Sequence, residues 1–343
     1  MVAQEGRIVW TAGIRPAGIA PRGGKAWRII DEMLGIANGW LQRLGVFGDL
    51  PTRLLRRAVS CVPWFLEPFF IALWMPLFFL LAGSQRRAVA ANLGHLFPGR
   101  SRVFYQLGAL RVFWNFSWVC VESYRARHED GGVDWLIDGS AAFAELAAER
   151  RGSIILTAHM GNYDMAAPVF SGRFGRTVYA VRAPERNPQL QEVRAAELRE
   201  KERVYPDFRS LYNLPGNMLG VELARVLAAG GVVAIQGDRV LFDVAFQEVA
   251  VGEGLWMRVP KGPSALMRAS GASCFPLFIL RDGYRRYRIV VLPKLVFPPR
   301  QRGTDDLGAT EVWAGALLEI VRTHWSQWFV FEEVFRSSRE VAP

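Results

Sequence analysis

The stretch "SIILTAHMGNYDMAA", Ser153 to Ala167, constrains the chain most. An apolar run of strand type ends at His159, Gly161 and Asn162 supply turn chemistry, and a helical pattern that Asn162 can cap begins near Tyr163. The rhythm continues beyond Val133. "RTVYAVRA", "VVAIQGD", "SCFPLFILRD" and "YRRYRIVVLPKLVF" read as strands, and "GVELARVLAAGG" and "GPSALMRASGA" as helices. "ATEVWAGALLEIVRTHWSQWFVFEEVF" reads as a last helix with an aromatic end. This alternation predicts an α/β fold with a mixed central sheet flanked by helices, in which sites gather at the carboxyl ends of strands.

On one continuous helix His159 and Asp164, five positions apart, would stand about 140° apart around the axis. With the histidine before the turn and the aspartate in the first helical turn, the carboxylate can reach the imidazole. Asp164 then fixes the tautomer and His159 accepts a proton. The chain has no GxSxG elbow and no cysteine near His159. The natural nucleophile is therefore a substrate hydroxyl attacking an activated acyl group, with no acyl-enzyme required. Backbone N–H groups near Met160 and Gly161 are candidates to hold the oxyanion. By spacing alone, a capping or hydrogen-bonded structural role for the pair stays open.

About half of the 343 residues are hydrophobic, twelve are tryptophan, and the mean hydropathy is slightly positive, so membrane contact is a live option. Between Val59 and Ala82 the only charge is Glu67, but prolines at 63, 68 and 76 interrupt the run. A straight span needs about 20 apolar residues. Arg53, Arg56 and Arg57 precede the run and Arg86 and Arg87 follow it, so neither orientation is favoured and both ends fit one face. Residues 51–85 are expected to form a re-entrant or interfacial anchor, with a buried helical hairpin as the alternative. Residues 1–50 read as a weakly ordered arm without signal-peptide features, then a short amphipathic helix from Trp27 to Leu44; residues 86–343 form the catalytic domain. That domain opens with two helices separated near Pro98 to Ser101.

The net charge of +10 suits an anionic membrane surface, a phosphate-bearing donor or nucleic acid. The chain shows no nucleic-acid module and no basic stripe interleaved with aromatics, so no nucleic-acid partner is expected. Cys61, Cys120 and Cys274 stand far apart in apolar surroundings and are expected to be buried thiols. Neither they nor the four histidines have metal-type spacing, and no metal or redox cofactor is expected.

"ERRGSIILTAHMGNYDMAA" resembles the HxxxxD/E region of the lysophospholipid acyltransferase superfamily. It is most similar to the branch of bacterial lipid A late acyltransferases, the lauroyl and myristoyl transferases, with the related mycobacterial mannoside acyltransferases. "QRRAVAANLGHLFPG", "RNPQLQEVRAAELR", "LAAGGVVAIQGDR" and "KGPSALMRASGASCFPLFILRDG" resemble further family segments in the same order. The resemblance implies that His159 is a general base with Asp164 as its partner. It also implies that Arg199, or Arg194, is an active-site arginine and that Asp238 shapes the site. Gly161 and Asn162 form the turn, and Lys261 and Gly262 open a helix suited to an oxyanion or phosphate. Most lipid A acyltransferases carry glutamate where Asp164 stands, and the aspartate is more like the glycerolipid enzymes.

The implied activity moves a fatty acyl chain from an acyl thioester to a hydroxyl of a glycolipid such as a lipid A precursor. The donor is acyl carrier protein or coenzyme A, and the place is the cytoplasmic face of a bacterial inner membrane. The partners are then the lipid acceptor, the thioester donor and the membrane surface. Arginines 182, 186, 281, 285, 286 and 288 are candidates for phosphate contacts, and Trp325, Trp328 and Phe329 are expected to pack in the core. The rival readings are a lysophospholipid or other polar-lipid acyltransferase, a thioesterase, and a non-catalytic lipid-binding protein on the same fold.

Overall fold

The computed structural model describes residues 55, 57–125, 133–185, 188–214, 216–240, 244–299 and 307–337. The arm and amphipathic helix expected in residues 1–50 lie outside the described residues, as do Arg53, Arg56, Arg186 and Asn187. The strands are β1 (Asp134–Asp138), β2 (Ser153–Thr157), β3 (Val178–Arg182), β4 (Phe208–Tyr212), β5 (Val232–Gln236), β6 (Phe246–Gly252), β7 (Leu255–Pro260), β8 (Ser273–Gly283), β9 (Arg286–Val291) and β10 (Phe335–Ser337). Seven of them form one sheet in the order β1-β9-β8-β2-β5-β3-β4. All neighbours in it are parallel except the β8–β9 hairpin, so β9 and β1 run against the other five and the sheet is mixed. The remaining three, β6, β7 and β10, make a small antiparallel sheet. The "SIILT" of β2 is apolar without alternation because helices cover both faces of the sheet, and its first four residues are buried.

The helices are α1 (Glu67–Leu81), α2 (Gly83–Leu96), α3 (Arg102–Arg125), α4 (Ser140–Ala148), α5 (Tyr163–Ser171), α6 (Pro188–Val204), α7 (Leu219–Ala228), α8 (Gly262–Ser270) and α9 (Leu307–His324). Two large apolar cores lie among these layers. One gathers Trp313 and Leu317 of α9 with Phe278 of β8, and the other gathers Phe113 of α3 with Phe275 and Tyr287. The break between α2 and α3 falls where Pro98 to Ser101 predict it, and Ser101 Oγ accepts the Phe104 N–H at 3.2 Å.

Helix α1 absorbs Pro68 in its first turn and Pro76 in its interior. It buries Glu67, Ile71 and Met75, and sets Phe78 and Phe79 against Phe113 of α3 at ring distances of 5.7 and 5.2 Å. Glu67 is pinned by Arg125 of α3 at 2.6 Å. The opposite side leaves Phe69, Leu73, Leu77 and Leu80 exposed, so α1 is not part of a buried hairpin. The apolar helical stretch from Trp64 to Leu81 is long enough by length and composition to cross a membrane.

Three expectations change at this scale. The last helix stops at His324, because Met160 bridges Trp328 and Phe329 N–H donates to His159 O at 2.7 Å, drawing the aromatic end onto the histidine turn. Strand β9 stops at Val291, where Pro293 can donate no ladder hydrogen bond. Of the cysteines only Cys274 is fully buried, and burial pushes its thiol up to about 12; Cys61 is exposed and Cys120 half-buried.

Candidate active site

Strands β2 and β5 lie side by side with Thr157 opposite Gln236, and each runs two residues further to a buried titratable side chain, His159 and Asp238. Asp238 Oδ1 lies 2.7 Å from His159 Nδ1, and Asp238 Oδ2 accepts the His159 backbone N–H at 2.8 Å and the Trp328 indole N–H at 2.9 Å. Burial pushes the Asp238 carboxyl up, but the His159 charge and these hydrogen bonds outweigh it and hold the group below its ordinary value. An ionised carboxylate at Nδ1 requires a proton there. The lone pair of a neutral ring is then on Nε2, which has no hydrogen-bond partner among the described residues.

Two glycines let the chain close this tightly. Gly161 turns with φ +49°, and a Cβ on it would stand 2.4 Å from Ile279 O of β8. Gly237 lies under Trp313, whose indole donates to its carbonyl at 2.8 Å; a Cβ there would meet that nitrogen at 2.8 Å.

The carboxylate expected to serve His159 is therefore replaced by another. Asp164 sits in the first turn of α5 facing β3 and α6, where Arg182 Nη2 reaches Oδ1 at 2.5 Å and Lys201 Nζ reaches Oδ2 at 2.7 Å. Burial pushes Asp164 up, and Arg182, Lys201 and Arg194 together pull it well below its ordinary value. The amides proposed for the oxyanion are also engaged: Met160 N–H donates to Ala158 O at 2.8 Å, and Gly161 N–H to Gln327 O at 3.3 Å. Asn162 precedes α5 as expected without capping it. Its Oδ1 accepts from Ser123 Oγ at 2.8 Å, tying the turn to α3.

Of the two α6 arginines expected at the site, Arg194 faces the Asp164 cluster and pairs with Glu197 at 3.2 Å, whereas Arg199 is exposed. Lys261 and Gly262 open α8 at the end of β7, a strand of the small sheet rather than of the one that carries His159. Among the arginines considered for phosphate, Arg281 grips buried Glu122 at 2.7 Å and Arg288 holds Asp282 at 2.9 Å, so both serve the structure. Trp328 does more than pack, since it holds Asp238. That contact joins positions 90 apart, and no local pattern announces it.

Below the pair an apolar cavity, open at its mouth, runs along one face of the sheet under α4 and α5. Thr157, Gln236 and Arg182 stand at the mouth, Ile155, Ala234 and Ala180 one step deeper, and Val178 with Phe174 and Phe143 deeper still. Tyr163 of α5 lines the mouth and stands edge-on to the His159 ring at 5.2 Å. A base beside a deep apolar pocket can take a proton from a hydroxyl while a long hydrocarbon chain lies in the pocket.

None of the curated proteins compared with the chain matches it. The family described as bacterial lipid A biosynthesis acyltransferase matches residues 54–337. That match takes in α1, both sheets and the His159–Asp238 pair, and the chain belongs to the bacterial lipid A biosynthesis acyltransferase family.

Proposed function

We propose that the protein transfers a fatty acyl chain from an acyl thioester to a hydroxyl of a glycolipid, a lipid A precursor being the acceptor in keeping with its family. His159 Nε2 takes the hydroxyl proton as the oxygen attacks the thioester carbonyl, and later returns it to the leaving thiolate. Asp238 keeps the ring in the required tautomer and stabilises the imidazolium. Asp164 serves at one remove, holding Arg182 and Lys201 beside the mouth. The acyl chain occupies the cavity beneath. One observation carries this reading: a histidine–carboxylate pair stands against Tyr163, which lines an apolar cavity of the sheet.

The reading includes a place at the membrane. The domain holds α1 along Ile71 and Met75, while Trp64, Phe65, Phe69, Leu73, Leu77 and Leu80 are exposed, and exposed Arg57, Arg87, Arg100 and Arg102 lie in neighbouring segments. Such a helix suits insertion into one leaflet, with the catalytic domain on the cytoplasmic face where thioester donors are found. Either acyl carrier protein or coenzyme A serves as donor. A lysophospholipid acceptor is the second reading, favoured by the aspartate at 164. Mass spectrometry of extracted lipids, including the lipid A fraction, tests the proposal in cells with the protein, without it and with His159→Ala. Loss of one acyl chain from a glycolipid in both altered strains supports it, and loss from a phospholipid supports the second reading. No lipid change, or full restoration by the alanine variant, contradicts both.

A further inference from the structure

The cavity wall is apolar except around its mouth. There the Thr157 hydroxyl, the Gln236 amide and the Tyr163 hydroxyl have no hydrogen-bond partner among the described residues, and the Arg182 guanidinium gives Nη2 to Asp164 while its buried Nε has no partner. All three side chains are half-buried, so their donors are open to solvent and free to pair with a polar group that a ligand brings to the apolar pocket. Their position says which part of the ligand. Thr157 and Gln236 face each other across β2 and β5, two residues before His159 and Asp238. Tyr163 joins the two places, since it lines the cavity with Thr157 and Gln236 and its ring stands 5.2 Å from the His159 ring. A chain filling the cavity from below therefore brings its first polar atoms to these three groups, near the imidazole.

We propose that Gln236, Tyr163 and Thr157 form a collar that binds the carbonyl oxygen of the acyl thioester and then the oxyanion that replaces it. The inference rests on the acyl-transfer reading and adds the electrostatic part that reading lacks, since the Met160 and Gly161 amides are already engaged. As the acceptor oxygen bonds to the carbonyl carbon, the C=O π pair moves onto oxygen and the hydroxyl proton passes to His159 Nε2. The collar donates hydrogen bonds to that oxygen. The pair then re-forms C=O, the C–S bond breaks, and the thiolate takes the proton from His159. Burial and the Asp164 charge push the Tyr163 phenol up, against the pull of Arg239, Arg182 and Arg194, so it keeps a proton to donate.

The test uses the full chain and two unreactive ligands built on dodecanoyl phosphopantetheine, the arm that both carriers share. In one a CH₂ replaces the sulfur and the carbonyl stays; in the other a CH₂ replaces the carbonyl. Wild type should bind the ketone about tenfold tighter than the thioether, the worth of a hydrogen bond to the carbonyl. Gln236→Leu and Gln236→Met, two substitutions chosen to guard against a folding defect at either one, should erase that preference while binding the thioether as before. Tyr163→Phe should reduce it. In transfer assays the Gln236 variants should lose about 10²-fold in kcat with KM for the donor little changed. Variants that keep the wild-type preference for the ketone overturn the collar and leave the acyl-transfer reading standing. A wild type that binds neither ligand, or a His159→Ala protein with full transfer activity, contradicts that reading and the collar with it.

Discussion

Two aspartates near His159 make different contacts. Asp238 is held by the His159 backbone, the His159 ring and the Trp328 indole, an arrangement that orients the imidazole. Asp164 is the hub of a cation cluster. Its folded pKa lies below its unfolded value of about 3.9, so the stability it confers is complete above that value and is lost as pH falls through the native pKa. Melting curves between about pH 3 and pH 7 should show Asp164→Asn less stable than wild type at neutral pH, with a smaller loss on acidification. His159 is legible in the sequence because an apolar strand that stops on a histidine is a local signal. The pairing with Asp238 is not legible in local spacing, although the family resemblance singles Asp238 out as a site residue, because the two lie 79 positions apart and meet only through the adjacency of β2 and β5. Asp164 is closer along the chain, and proximity in sequence stands in poorly for proximity across a sheet.

At the scale of elements, the turn after β2 and helix α1 each carry a prediction. The turn packs so closely on β8 that Gly161→Ala must both strain a left-handed residue and displace the Ile279 carbonyl. A loss of at least about 2 kcal/mol in denaturant unfolding is expected, together with the loss of turnover that follows from moving His159. Helix α1 should separate binding from folding. Leu73→Asp with Leu77→Asp alters only its exposed side, so binding to anionic vesicles should fall sharply while the melting temperature stays within a few degrees. A large melting shift would show that this side packs on protein. The alternation of strands and helices is readable because periodicity belongs to each segment alone. The ends of elements set by distant partners are not: Glu67 faces Arg125 across 58 positions, and the aromatic tail leaves its helix to pair with the His159 turn.

For the molecule as a whole, the sheet brings three things together: the His159–Asp238 pair past the ends of β2 and β5, the polar Thr157–Gln236 rung that closes those strands, and the apolar cavity that the rung helps to line. From the Gln236 rung to Val178 the cavity descends four residues of strand, about 13 Å. Filling the middle level with Ala180→Leu or Ala234→Leu should shift transfer toward shorter acyl chains, and Phe174→Ala toward longer ones, as read from the product mixture formed from a set of donors. Unchanged chain preference in all three would remove the cavity from the account. The most direct test of the His159–Asp238 pair is steady-state transfer by Asp238→Asn and Asp164→Asn. The account predicts that Asp238→Asn, which leaves the ring in the wrong tautomer, loses about 10⁴-fold in kcat with little change in KM. Asp164→Asn should keep the wild-type pH dependence of kcat and lose mainly in KM. An Asp238→Asn protein turning over at the wild-type rate, with the base limb of the pH profile lost in Asp164→Asn instead, would contradict it.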